Sequence, residues 1–139
     1  MKKLSVLMVA LLLAACSSNG GSTGTAVKEG SASIGEEANK TIASVKLEGD
    51  KIIELSIDQY QDGQSKMELG ADYNMKGASE IKKEWNEQIE FLADYIKENG
   101  TDIAINEEGK PTDAEVLTGC TVGIENILAA VNEAVANAK

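Results

Sequence analysis

Residues 41–57 read TIASVKLEGDKIIELSI, and their alternation decides the fold. Ala43, Val45 and Leu47 take one side of an extended chain and Ser44 and Lys46 the other, the period of two that marks a half-buried strand. Gly49-Asp50 supplies a tight turn. Ile53, Leu55 and Ile57 then alternate with Glu54, Ser56 and Asp58, so the stretch predicts a β-hairpin with one apolar face on each arm. A sheet with one apolar face needs a covering layer, and the rest of the chain has to provide it.

Towards the C-terminus the pattern changes. From Gln59 to Gly77 the sequence is polar and broken by Gly63, Gly70 and Gly77, which reads mostly as loop. Ser79 is the expected N-cap of a helix reaching Asn99, with Glu80 near its start, Lys97 near its end and Gly100 as its stop. Ile81, Trp85, Ile89, Leu92 and Ile96 recur at helical spacing and give it an apolar stripe. Ile103 and Ile105 suggest a short strand, followed by a turn through Glu107, Glu108 and Gly109, and Pro111 bars helix there. A second helix is expected from about Thr121 almost to the end, with Ile124, Ile127, Leu128, Val131 and Val135 on one face. The prediction is a small α+β domain in which two amphipathic helices pack on an antiparallel sheet.

Towards the N-terminus, Lys2 and Lys3 precede an apolar run from Leu4 to Leu13 that is too short to span a bilayer. This is the layout of an export signal. Leu13-Ala14-Ala15-Cys16 resembles the bacterial lipobox, which implies cleavage after Ala15 and a lipidated Cys16. Two acyl chains on one residue hold a protein to a membrane durably, so the expected location is the outer side of the cell membrane. The stretch from Ser17 to about Ser33 is rich in Ser, Gly and Thr and reads as a flexible tether. The expected division is residues 1–15 signal, 16–38 lipidated cysteine and tether, and 39–139 folded domain.

Composition narrows the chemistry. The chain carries 13 lysines and no arginine against 23 Asp and Glu, and loss of Lys2 and Lys3 with the signal would leave a net of −12. Nucleic acid is not an expected partner, because binding a polyanion depends on cationic side chains. The absence of His and Arg excludes His-based catalytic triads, His-ligated metal and bidentate guanidinium clamps. With Cys16 committed to lipid, Cys120 is a lone thiol, and no enzyme activity is expected.

Glu115-Val116-Leu117-Thr118-Gly119-Cys120-Thr121 stands directly before the expected last helix. Unpaired first-turn amides and the helix dipole favour an anion at such a place, and Gly119 would let backbone approach a ligand. A capping threonine with a tight turn explains the same residues. Cys120 reads either as a small buried residue or as a thiol activated by the helix end.

This segment resembles the attachment motif of the FMN-binding domain found in the flavin-carrying subunits of sodium-translocating NADH:quinone oxidoreductase and in extracellular electron-transfer lipoproteins. That motif reads Asp, two variable residues, Ser or Thr, Gly, Ala, then Ser or Thr. Thr118, Gly119 and Thr121 match it, while Glu115 stands at the Asp position and Cys120 at the Ala position. Glu68 to Lys76 and Lys83-Glu84-Trp85 are similar to a subgroup of Gram-positive surface lipoproteins with this domain. The resemblance implies an FMN-binding-domain fold, FMN esterified to Thr121 by a flavin transferase, and electron transfer from a membrane donor to an external acceptor. Tyr73, Met75 and Trp85 are candidates to contact the ring system, with ordinary packing as the alternative.

Overall fold

The computed structural model describes residues 25–139, so the expected signal and the expected lipid-attachment residue Cys16 lie outside the described residues. Strands β1 (Val27–Glu36), β2 (Asn39–Glu48), β3 (Lys51–Gln61) and β4 (Gln64–Ser65) form one antiparallel sheet in the order β1-β2-β3-β4. After the one-turn helix α1 (Lys66–Leu69) come α2 (Trp85–Asn99), the one-turn helix α3 (Ala114–Leu117) and α4 (Glu125–Asn137). Helix α4 packs on β1 and β2 and helix α2 on β3, giving the expected α+β arrangement of helices on an antiparallel sheet.

The hairpin forms where alternation places it. Ala43, Val45, Leu47 and Ile57 are buried, and Gly49 makes the turn at φ +63°. One position departs. The β2–β3 register shifts between Lys46, which faces Glu54, and Leu47, which faces Ile52. Ile53 is therefore the extra residue of a bulge and is 37% exposed, while half-buried Ile52 takes the inward place expected of Ile53.

The folded domain starts before Asn39. Residues 27–36, assigned by composition to the tether, pair along their whole length with β2. Gly30 has a packing reason: a Cβ there would strike the Ala134 carbonyl oxygen and come within 2.6 Å of the Ala138 nitrogen. The end of α4 thus lies directly on the strand, and Asn137 Nδ2 donates to the Ser31 carbonyl at 3.0 Å.

The expected loop 59–77 holds more structure than its glycines suggest. Asp62 and Gly63, at φ +53° and +80°, form a two-residue turn into β4. Asp58 then braces the next bend, accepting from the Ser65 hydroxyl at 2.6 Å and the Met67 amide at 3.3 Å. Helix α2 begins six residues after Ser79. Lys82 takes φ +54°, which stops any helix from running through it, and Glu84 with Glu87 forms a reciprocal capping box. The expected stripe of Trp85, Ile89, Leu92 and Ile96 is buried, and Gly100 ends the helix at φ +86°. Ile103 and Ile105 form no strand: Ile103 is buried, and Ile105 makes a single bridge to Pro111.

Candidate functional site

The segment 113–124 is built by a short helix that turns back on itself. Asp113 caps α3, its Oδ1 accepting from the amides of Glu115 (2.9 Å) and Val116 (3.4 Å). The Val116 side chain is fully buried and anchors the turn. At the other end the Thr118 hydroxyl donates to the Glu115 carbonyl at 2.6 Å, and the amides of Gly119 and Cys120 donate to the Val116 carbonyl at 3.1 and 2.9 Å.

Thr121 does not open the last helix. Val122, Gly123 and Ile124 intervene before α4, with Ile124 at the N-cap and Glu125 in the first turn. The amides beside the Thr121 hydroxyl are engaged rather than exposed. That of Thr121 donates to Gln88 Oε1 at 2.9 Å, and its hydroxyl donates to the same oxygen at 3.3 Å. Gln88 is fully buried, and its Nε2 donates to the Ser79 hydroxyl at 3.1 Å and the Lys83 carbonyl at 3.2 Å. One side-chain amide thus uses both of its protons and both acceptor directions to tie α2, the loop before it and the Thr121 segment together. Ser79, the expected helix cap, serves this network instead.

Gly119 has a close neighbour, and it is not an empty site. A Cβ there would fall inside the Phe91 ring, so glycine is required for that ring to lie against the turn. The Lys83 ammonium sits 5.7 Å from the centre of the same ring. Cys120 is fully buried, and burial pushes its thiol up to about 11, a hydrogen bond from the Val122 backbone opposing this in part. Burial and the upward shift disfavour an activated thiol and support the reading of Cys120 as a small buried residue. Tyr95 is raised above its ordinary value by partial burial first and then by the carboxylates of Asp113 and Glu115, which make the field around α3 negative.

The motif therefore splits by side. Val116, Gly119 and Cys120 face the core, Glu115 and Thr118 are exposed, and Thr121 is half-buried. Trp85 is 2% exposed and belongs to the core, its ring capped by the Lys66 ammonium at 5.5 Å. Tyr73 and Met75 are partly buried, the Tyr73 hydroxyl donating to Gln61 Oε1 at 3.1 Å and the Met75 amide to Glu84 Oε2 at 2.8 Å. Five surface hollows of about 310 to 900 Å³ among the described residues are lined by side chains outside 115–121. Among the described residues no cluster of metal-ligating side chains occurs, and no helix is long and apolar enough to cross a membrane.

Gln88, Phe91 and Lys83 are the partners that reading the sequence missed. A signal for the first was present: Gln88 stands between Trp85 and Ile89 in an otherwise apolar stripe, and an amide in such a place needs buried partners.

Among known proteins, no family profile and no curated protein matches this chain. A solution NMR structure of a protein from Clostridium thermocellum, a target of the Northeast Structural Genomics Consortium, is similar in fold. It covers 81% of this chain and 89% of its own, at 21% identity and a TM-score of 0.50, a likeness of fold alone.

Proposed function

We propose that this chain is a membrane-anchored lipoprotein, held by Cys16 outside the cytoplasm, whose FMN-binding-domain-like fold carries FMN as a phosphoester on Thr121. The observation that supports this most is the two-sided motif. Of the two departures from the family pattern, Glu115 keeps the carboxylate on the exposed side, and Cys120 in place of Ala falls on the buried side, where a thiol stands in for a methyl group without touching the surface. Thr118 and Thr121 keep the hydroxyls of the pattern at or near solvent.

At the attachment residue the geometry is compatible with the ester. An esterified oxygen cannot donate, so Thr121 Oγ1 would give up its 3.3 Å contact with Gln88, while the shorter amide bond at 2.9 Å stays. No group beside Thr121 acts as an activating base, so a flavin transferase has to take up the hydroxyl proton as the oxygen–phosphorus bond forms, and the donor has to be a flavin dinucleotide whose pyrophosphate bond breaks to release a nucleoside monophosphate. With no arginine in the chain and the carboxylates of Asp113 and Glu115 at the start of α3, noncovalent retention of an anionic flavin would be poor, and an ester removes that weakness. The flavin would supply electron transfer between a membrane donor and an external acceptor, and the chain would supply tether, position and environment.

A second reading has its own observation. Gln88 engages both polar atoms of Thr121, as in a segment whose purpose is to lock α2 to the loop before α4. On that reading the protein is a flavin-free binding or structural lipoprotein of the same fold. Protein from its own host, run on a denaturing gel under ultraviolet light, separates the two. The first requires a fluorescent band that Thr121→Ala abolishes and an intact mass containing both lipid and FMN. A dark band, with a mass accounted for by lipid alone, leaves the second.

A further inference from the structure

We infer that the hollow where β2, the β3–β4 turn and the start of α4 meet is a binding site for a phosphate group, distinct from Thr121. The hollow has a volume of about 310 Å³, and Lys40 and Lys66 both line it. Ion pairs among the described residues use Lys46, Lys97 and Lys110, and Lys40 and Lys66, like most of the described lysines, are in none; what sets these two apart is that they share one hollow.

Each ammonium is instead positioned by neutral groups. Lys40 Nζ stands 5.0 Å from the centre of the Tyr60 ring. Lys66 Nζ donates to Gln59 Oε1 at 3.2 Å and lies 5.1 Å from the Tyr73 ring and 5.5 Å from that of Trp85. Gln59 is oriented in turn by its Nε2, which donates to the hydroxyl of buried Thr41 at 3.1 Å. Aromatic faces and a fixed amide oxygen hold the charges in place without neutralising them, which leaves both available to an anion.

The third wall is Asn126, in the first turn of the 13-residue helix α4. The amides of a first turn have no intrahelical acceptor, and the dipole there favours negative charge. The neighbouring Glu125 does not fill the place, since its side chain packs towards Gly109. Asp62 is the one acidic residue lining the hollow, so the local balance is two positive charges to one negative. Two ammonium groups on different elements beside a helix start suit a compact tetrahedral dianion, either free phosphate or a phosphomonoester lipid headgroup.

Amide NMR of the full chain titrated with inorganic phosphate, against chloride at equal ionic strength, tests the site. Saturable shifts should centre on Lys40, Gln59 to Asp62 and Asn126. The Lys40→Gln/Lys66→Gln double variant should bind at least tenfold more weakly, Asp62→Asn about twofold or more tightly, and Lys51→Gln as the wild type does. A lipid source would show as sedimentation with phosphatidate vesicles, but not phosphatidylcholine vesicles, lost in the same double variant. Identical responses to phosphate and chloride, together with vesicle binding that is absent or indifferent to the double substitution, would overturn the inference. If the double variant misfolds, the wild-type shift map decides alone: shifts confined to the hollow support the site, and shifts spread over the surface lysines refute it.

Discussion

The hairpin at 39–61 and the segment at 113–124 are both compact turns of chain, yet they are specified in opposite ways. In the hairpin each residue's neighbour is set by its place in the strand and by a two-residue turn, so local pattern and final packing agree. In the segment the neighbours that matter are Gln88 and Phe91, 33 residues before Thr121 and 28 before Gly119 respectively, both on α2. Cutting a distant partner should therefore damage the segment more than any change on the hairpin's outer face damages the sheet.

The largest effect is expected at Gln88. Gln88→Ala leaves the Thr121 amide, the Ser79 hydroxyl and the Lys83 carbonyl without their partner and opens a void in the core. A loss of about 3 kcal/mol in urea unfolding follows from the cost of unsatisfied buried groups. A loss below about 1 kcal/mol would mean that water replaces the amide and that the segment is held by something else.

Cys120 gives the next effect, and it depends on pH. The unfolded thiol ionises near its ordinary value of 9.0 and the folded one near about 11. Below pH 9 both states keep the proton and the full stability is present. Between 9 and 11 the unfolded state releases the proton while the folded state retains it, so stability falls as pH rises, by up to about 1.4 kcal/mol per unit. Comparing unfolding of the wild type with Cys120→Ala at pH 8 and 10.5 isolates this from other titrations. Equal slopes in the two proteins would show the thiol to be open to solvent.

What the sequence made legible follows the same division. The period of two in residues 41–57 and the stripe Trp85, Ile89, Leu92, Ile96 located the sheet and the main helix, because burial repeats with the geometry of each element. Strand β1 escaped because Gly30 has no room for a side chain beneath the end of α4 while Ser31 and Ser33 lie on the exposed face, and small polar residues look the same in a tether. The start of α2 escaped because Ser79 is a good cap by type, while the capping box of Glu84 and Glu87 five residues later was the stronger signal. At the motif, residue identities suggested which positions belong together. They could not say that Cys120 faces inward or that Gly119 makes room for an aromatic ring, since both facts depend on where α2 comes to rest.

Gly119→Ala should cost about 2 kcal/mol, within the range for overpacking a filled site, because the added methyl group and the Phe91 ring cannot occupy one volume. The neighbour is a side chain rather than backbone, so the cost should be recoverable. In a double-mutant cycle, Phe91→Ala should lose less in the Gly119→Ala background than in the wild type, by at least 0.5 kcal/mol, roughly the threshold for coupled contacts. Additive losses would mean that glycine is needed at this turn for a backbone reason instead.

The smallest effect is the sharpest test of the hairpin. Ile52 and Ile53 are adjacent and chemically identical, and alternation counted from Ile57 points Ile53 inward. The bulge at Lys46–Leu47 reverses this, leaving Ile53 without a cross-strand partner and Ile52 opposite Leu47. Ile53→Thr should then change stability by no more than about 0.5 kcal/mol, as expected for an exposed strand position, while Ile52→Thr should lose about 1 kcal/mol or more by putting a hydroxyl against the core. Because the residues are the same type on the same strand, propensity cancels between them and only facing remains. The reverse order of losses would mean that the arms pair without a bulge, with every side chain between Lys51 and Ile53 on the opposite face of the sheet.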